Sequence, residues 1–356
     1  MKESFDLFLI DQDVALKEAM RRMGQNGGKV LFVIDGQRRL VGSLSDGDVR
    51  RWILNGKRLT AKVSKVCNPE TVIYPVDYDI QQVKQKMLDM RIEAVPLLDP
   101  RGQIRDILIW DEIFREPLPV HKERLDIPII IMAGGRGTRL DPFTRILPKP
   151  LIPIGDKPII EVIMDRFSAF GVKEFYLSIN HKSKMIKAFF EESKDPYSIK
   201  YIEEKIPLGT TGSLKLLKNK IEGSFLVTNC DILVETDYAE FLKFHRDHGF
   251  DLTMAVSCKR YVIPYGVCEI VDGGILKSIK EKPEYDLLVN TGMYIMEPSL
   301  LDLIPDNKSF HLDELIAAAK KKKFKIGVFP ISEKSWVDIG QWEEYQKVTK
   351  QLSELL

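Results

Sequence analysis

Along the first third of the chain the apolar positions follow one pattern, and it occurs twice. Residues 14–23 and 78–90 space their apolar side chains helically: Leu16, Ala19 and Met23 in the first, Ile80, Val83 and Met87 in the second. Each stretch predicts an amphipathic helix. Short apolar runs follow, LFVID at 31–35 and VPLLD at 95–99, each closed by an acidic turn residue. RRLVGSL (38–44) and GQIRDIL (102–108) supply second strands, which predicts a hairpin in each case. A short helix closes each unit, DVRRWIL at 48–54 and WDEIF at 110–114. Residues 8–50 and 72–114 thus form one unit repeated at a constant offset. A single unit of this size buries little core, so the two are expected to pack together.

Residues 115–126 are polar and carry Pro117 and Pro119, the composition of an extended linker. The expected organisation is a tandem pair over residues 1–118 (about 1–60 and 61–118), a linker at 119–126, and a second domain at 127–356. That domain opens on IPIIIMAG (127–134), a near-continuous apolar run of the kind found in the middle of a parallel sheet. It leads into GGRGTRLDPFT (134–144). Glycines directly after a buried strand let backbone N–H groups approach phosphates. Two common phosphate motifs are excluded. No GxxxxGK[ST] is present, and Leu140 stands where the dinucleotide fingerprint needs glycine.

Composition narrows the picture further. Over 356 residues, 44% hydrophobic content excludes a disordered chain. Fifty-three basic against 52 acidic residues leave a net charge of +1, so no global field favours nucleic acid or a membrane surface, and any anion site is local. No apolar run approaches the ~18–20 residues of a spanning helix. The N-terminal apolar stretch ends at Asp11, unlike a signal peptide. Cys67, Cys230, Cys258 and Cys268 lack CxxC spacing, which speaks against a zinc ribbon or a disulfide framework and for a reducing, cytoplasmic setting. His245 and His248 read as surface histidines, and Lys320–Lys323 as a solvated helix end.

The stretch GSLSDGD holds Gly42, Ser45 and Asp48 in a G-x-x-S-x-x-D pattern. With the repeat, it resembles a tandem pair of CBS domains. The resemblance implies an adenine nucleotide, its phosphate and ribose contacted by Ser45 and Asp48. CBS pairs often associate, which implies a homo-oligomer through this unit. The second repeat departs from the pattern, with Asp106, Ile109 and Glu112 at the matching positions. A purely structural pair is the alternative.

The stretch GGRGTRLDPFTRILPKPLIPIGDKPIIE (134–161) resembles the signature of sugar-1-phosphate nucleotidylyltransferases, G-G-x-G-T-R-L followed by P-K-P. The likeness extends over roughly residues 127–345. It implies a Rossmann-like α/β domain with a mixed, mostly parallel sheet, in which a sugar-1-phosphate oxygen attacks the α-phosphorus of an NTP and pyrophosphate leaves. Both reactants are polyanions, so such catalysis is mostly positioning and charge neutralisation. The resemblance assigns nucleotide contacts to Ala133, Gly134, Gly135, Gly137, Thr138 and Arg139, and contact with the reacting phosphates to Lys149. It makes Asp231 and Asp338 ligands of Mg²⁺, with Cys230 where the family commonly has glycine. Gly266, Glu281, Lys282, Asn290 and Thr291 match segments that contact sugar and phosphate, Lys282 as a catalytic cation.

Base choice falls to EEKIPLGTTGSL (203–214), which is similar to a segment of mannose-1-phosphate guanylyltransferases through Glu204, Pro207 and Gly209. A carboxylate at Glu204 can accept from guanine N1–H and N2–H₂ together, which favours GTP. A CBS pair placed before such a domain resembles the glucosamine-1-phosphate guanylyltransferases of bacterial legionaminic acid biosynthesis. That implies GTP and α-D-glucosamine-1-phosphate giving GDP-glucosamine. Mannose-1-phosphate is the alternative substrate, and a nucleotide-sugar-binding regulatory subunit the non-catalytic alternative.

Overall fold

The computed structural model describes residues 5–25, 30–90, 92–110, 113, 123–193, 197–331 and 335–353. It divides into two units, Met1–His121 and Lys122–Leu356. Among the described residues no helix is long and apolar enough to cross a membrane.

In the first unit the repeat is visible element by element. The first half runs β1 (Leu9–Asp11), α1 (Leu16–Gln25), β2 (Val30–Ile34), β3 (Leu40–Ser45) and α2 (Asp46–Leu54). The second runs β4 (Tyr74–Pro75), α3 (Ile80–Met90), β5 (Ala94–Leu98) and β6 (Ile104–Ile109). Each half forms a three-stranded sheet, β1-β2-β3 and β4-β5-β6, with an antiparallel hairpin as expected. The period of two in β2 explains the packing: Leu31 and Val33 face α1 and α2, while Phe32 faces the other repeat. Leu9, Phe32, Ala94, Ile104 and Ile107 form one core drawn from both halves. Of the short helix expected at 110–114, residues 111, 112 and 114 lie outside the described residues, as do 114–122, and with them most of the linker expected at 119–126.

The two hairpin turns are copies of each other. Asp35 accepts the N–H groups of Gln37 and Arg39 at 2.8 and 2.9 Å, and Asp99 those of Arg101 and Gln103 at 2.9 and 3.0 Å. Arg39 and Arg105 add side-chain bonds. The turns meet reciprocally, Leu40 N–H donating to Gly102 and Ile104 N–H to Arg38. These backbone donors, led by those of Arg39 and Gln103, hold both carboxyls below the usual carboxylate range. A depressed native pKa stabilises above the unfolded value of about 4 and is lost as the pH falls through the native value. Asp35→Asn with Asp99→Asn is therefore expected to melt earlier than the parent at pH 7. The gap should narrow as the pH falls below about 4 toward the native value, as read by thermal unfolding at pH 7 and across the acid range; a gap that does not change with pH would show that the carboxylate charge is irrelevant.

The second unit is built on one seven-stranded sheet, ordered β11-β10-β7-β12-β17-β14-β18. Its strands are β7 (Ile129–Met132), β10 (Glu174–Ile179), β11 (Ser198–Glu203), β12 (Phe225–Asn229), β14 (Leu252–Val262), β17 (Glu284–Met296) and β18 (Ile326–Ile331). All neighbours are parallel except β17, which runs against β12 and β14. Between them lie the small pair β8 (Pro153–Ile154) and β9 (Lys157–Pro158), the pair β13 (Ile232–Val234) and β19 (Trp336–Asp338), and the ribbon β15 (Val267–Val271) and β16 (Ile275–Lys280). The helices are α4 (Phe143–Ile146), α5 (Ile159–Ser168), α6 (Ser183–Glu192), α7 (Tyr238–Asp247), α8 (Leu312–Lys321) and α9 (Trp342–Ser353).

The apolar run at 127–134 is buried on both faces, which is why it does not alternate with polar residues. Ile129 and Ile131 pack in the core that holds Ile159, Ile163 and Phe167 of α5, and Ile130 in the one that holds Leu214, Leu300 and Leu315. Fully burying each isoleucine contributes roughly 1.5–3 kcal/mol. Leu125 is already in the first core, its N–H bonded to Phe170, so the chain is packed before β7 begins. The lysines at the end of α8 are exposed as expected. His245 is not a surface residue: it is 1% exposed, bonded to Thr253 and Glu297, and burial pushes its pKa below the ordinary histidine value. The single sequence could not show that α7 turns this face inward onto β14.

Candidate active site

Four candidate segments stand just beyond the carboxyl ends of four adjacent parallel strands. Gly134 follows β7, Asn180 follows β10, Glu204 follows β11, and Asp231 lies two residues past β12. Open parallel sheets place ligands at this edge because every loop after a strand opens there. The expected strand 225–231 stops at Asn229. Cys230 donates its N–H to Met132, and the chain then turns so that β13 can pair with β19. That pairing sets Ile232 opposite Asp338, and Ile339 N–H bonds the Asp231 carbonyl at 2.8 Å.

The two aspartates therefore converge. Gly340 lies between their carboxylates: a Cβ there would stand 2.1 Å from Asp231 Oδ2 and 2.9 Å from Asp338 Oδ1. Two cations approach these carboxylates. Lys149 Nζ is hydrogen-bonded to Asp231 Oδ2 and is 9% exposed. Arg139 lies 3.8 Å from Asp231 and 3.7 Å from Asp338, with its side chain largely in solvent. Lys149 is held in a 3-10 turn after Pro148, while Arg139 sits in another, Thr138–Leu140, pinned by buried Leu140. Gly137 enters that turn at φ 68°, and a Cβ on it would meet Lys149 Cβ at 2.9 Å. This glycine lets the loop lie directly on the lysine.

The loop's mouth is similarly tight. Ala133 N–H bonds Ser178, and a side chain on Gly134 would strike Glu204 Oε1 at 2.8 Å. Gly135 faces open space, and Thr138 is exposed. Glu204 is half-buried rather than free on its loop. Its oxygens accept from Ser178 Oγ at 2.9 Å and Leu208 N–H at 3.0 Å. Pro207 is exposed, and Gly209, at φ 79°, brings the loop against Phe310.

Three residues that the sequence reading did not single out organise this edge. Asn180 donates to the Glu204 carbonyl, His181 N–H reaches the Gly134 carbonyl, and Lys182 Nζ caps the carbonyls of Thr144 and Arg145. One short segment thus ties the glycine loop to the loop that carries Glu204. Its only sequence signal was a polar triplet following an apolar strand. Gly340 carried a signal too, two residues after Asp338, but its meaning needed Asp231 in place.

The expected sugar-side residues divide. A Cβ on Gly266 would stand 3.0 Å from Glu281 Oε2, so these two meet, and both are exposed. Lys282 is exposed at φ 42°. Among the described residues no hydrogen bond or ion pair joins Glu281 or Lys282 to the Asp231 cluster. Asn290 donates to Tyr294 and accepts from Gly292 N–H, and Gly292 packs on Asn229 beside Asp231. Thr291 is buried with its hydroxyl donated to Ala255 and its carbonyl taken by Trp336, so its side chain offers nothing to a ligand. Cys230 packs in the main core, and burial pushes its thiol up to about 12. In the first unit, Ser45 and Asp48 bond each other as a capping box on α2, and Arg51 takes the second Asp48 oxygen.

The residues fit a hard cation. Two carboxylates meet over a glycine at the edge where phosphates would lie, and Mg²⁺ is typically held by one or two carboxylates plus phosphate oxygens and water.

Comparisons with known proteins agree with this geometry. The nucleotidyl transferase family matches residues 129–354, and the CBS domain family matches residues 3–55. A probable mannose-1-phosphate guanylyltransferase 3 of Oryza sativa subsp. japonica is 34% identical over 227 residues, 61% of this chain and 62% of that protein. Mannose-1-phosphate guanylyltransferase 1 of Arabidopsis thaliana is 33% identical over 229 residues, with the same coverage. This chain thus spans about three-fifths of the length of these relatives. The crystal structure of HddC from Yersinia pseudotuberculosis aligns with a TM-score of 0.50 at 28% identity, covering 64% of this chain and 99% of that one. With the matched region exceeding half of its length, the chain belongs to the nucleotidyl transferase family.

Proposed function

We propose that this protein joins an NTP to a sugar-1-phosphate and releases pyrophosphate, with GTP as the nucleotide. The sugar is proposed to be α-D-glucosamine-1-phosphate, and mannose-1-phosphate is the second reading, favoured by the names of the relatives. The observation that carries the reaction class is the convergence of Lys149 and Arg139 on Asp231 and Asp338 beside the glycine loop. When a triphosphate enters, Lys149 faces the reacting phosphate and Arg139, on its exposed turn, the leaving pyrophosphate. Both hold charge that grows as the bond to the leaving group breaks. Asp231 and Asp338 would hold Mg²⁺, which when bound neutralises the approaching phosphate oxygens. Gly266, Glu281, Lys282 and Asn290 would receive the sugar phosphate. An adenine nucleotide at Ser45 and Asp48 would have to compete with the Arg51 contact.

GTP preference rests on Glu204. A carboxylate has about four lone-pair sites, and two are occupied, leaving two for guanine N1–H and N2–H₂. The test is pyrophosphate release with Mg²⁺ for GTP, ATP, UTP, CTP and dTTP, each against glucosamine-, mannose-, glucose- and N-acetylglucosamine-1-phosphate. The highest kcat/KM is expected with GTP, with slow turnover of the other nucleotides as the reference. Glu204→Gln should then lower kcat/KM for GTP by roughly 10–100-fold, the worth of hydrogen bonds to a charged group, and leave other nucleotides unchanged. Equal loss for all nucleotides would reduce Glu204 to a brace between Ser178 and Leu208. Nucleotide-sugar binding without turnover in any combination would favour the regulatory reading.

A further inference from the structure

The sheet divides the site into two halves. The glycine loop after β7 and Glu204 after β11 lie to one side of β12, while β17, β14 and β18 lie to the other. Both β12 and β14 run against β17, so they point the same way, and the carboxyl half of β14 rises at the edge that carries Asp231. Lys259 stands on that half. It is half-buried, and its Nζ lies 5.7 Å from the centre of the Trp336 ring and 5.8 Å from that of Tyr261. Trp336 belongs to the frame of the site. Its Nε1–H donates to the Thr291 carbonyl at 3.1 Å, and on β19 it sits two residues from Asp338, on the same side of the strand. A strand rises about 3.3 Å per residue, so these two side chains leave the backbone about 7 Å apart. Among the described residues no carboxylate pairs with the Lys259 ammonium. Aromatic faces attract a cation through the ring quadrupole, and they leave its N–H donors for the oxygens of a ligand.

We propose that Lys259 is a specificity-determining residue that binds the phosphate of the sugar-1-phosphate, an inference that rests on the reaction proposed above. The phosphates of the nucleotide have the glycine loop and Arg139 on the far side of Asp231. An anion that reaches Lys259 therefore belongs to the second substrate. Lys282, the cation that the motifs offered for this role, sits on an exposed turn. Lys259 instead projects from a strand of the main sheet, and a group on a strand is placed more precisely than one on a loop. The two rings restrict the ammonium before a substrate arrives, so less side-chain freedom is lost on binding. The phosphate of the sugar is negative both before and during the attack. Its contact with Lys259 is thus made equally in the ground state and the transition state, and its loss should appear in KM rather than in kcat.

The test uses the full chain and has two arms. In steady-state pyrophosphate release, Lys259→Met should raise KM for the sugar-1-phosphate by roughly 10–100-fold, the worth of one hydrogen bond to a charged group. KM for GTP and kcat should stay within about threefold of the parent, and Lys259→Arg should recover most of the loss. In calorimetry with Mg²⁺ and a non-hydrolysable GTP analogue, glucosamine- and mannose-1-phosphate should bind the methionine variant more weakly by the same factor. Unphosphorylated glucosamine and mannose should not distinguish the two proteins. Lys259→Gln takes the place of the methionine variant if that one fails to fold. An unchanged KM for the sugar phosphate overturns the inference and leaves the reaction standing. Equal rises in both KM values overturn it too, since they would make Lys259 a brace for Trp336. A parent without turnover that still binds the sugar phosphates through Lys259 removes the reaction and keeps the inference. A parent that binds neither sugar phosphate overturns it.

Discussion

Lys149→Met is expected to lower pyrophosphate release by about 10²–10³-fold, the usual cost of deleting one group that stabilises transition-state charge. Lys149 lies on Asp231 in a largely buried pair, so the same change leaves a carboxylate poorly compensated. Removing one partner of a buried pair typically costs about 3–5 kcal/mol. Stability and catalysis are therefore entangled in the single variant, and a second substitution separates them. Adding Asp231→Asn should recover most of the lost melting temperature, because the orphaned charge is gone. It should recover none of the turnover, because a cation and a carboxylate of the site are both missing. A single variant that keeps kcat within about threefold of the parent would remove Lys149 from the reaction.

Gly340→Ala carries the second large effect. Its methyl group would stand 2.1 Å from Asp231 Oδ2, far inside van der Waals contact, and 2.9 Å from Asp338 Oδ1. One or both carboxylates must move. A displacement of about 1 Å at a reacting centre can cost 10²-fold, and a fall of that order in kcat is expected. The loss should come with a higher Mg²⁺ requirement, read as the metal concentration at half-maximal rate. Gly36→Ala, in the first hairpin turn of the first unit, is the control: nothing lies within 4 Å of a Cβ at that position. Unchanged metal dependence in Gly340→Ala would mean that the two aspartates do not share one cation.

Much of this was legible in the chain because local patterns reflect local physics. The repeat of the first unit, with helices α1, α2 and α3, both hairpins and their mutual packing, follows from apolar spacing, and the structure bears these out to within a few residues, while the helix expected at 110–114 lies largely outside the described residues. The apolar run before the glycines announced a strand buried on both faces. Arg139, Lys149, Asp231 and Asp338 could be named from motifs, and all four meet. What local pattern could not show has one cause, the partner each group meets. Thr291 sits in a promising triplet, while β17 turns its hydroxyl onto Ala255. His245 reads as a surface histidine but is buried. Ser45 and Asp48 follow a ligand pattern, and their polar atoms also cap α2.

By itself, then, the sequence determined the elements, the two-part organisation and the inventory of charged groups, because these depend on periodicity and residue type over a few turns of chain. Only the tertiary structure decided which groups share a site and which are already satisfied. Lys149 and Asp231 are 82 positions apart, and they meet because four parallel strands open at one edge and β13 pairs with β19. That pairing, not any motif, brings the two carboxylates together over Gly340, where only hydrogen fits.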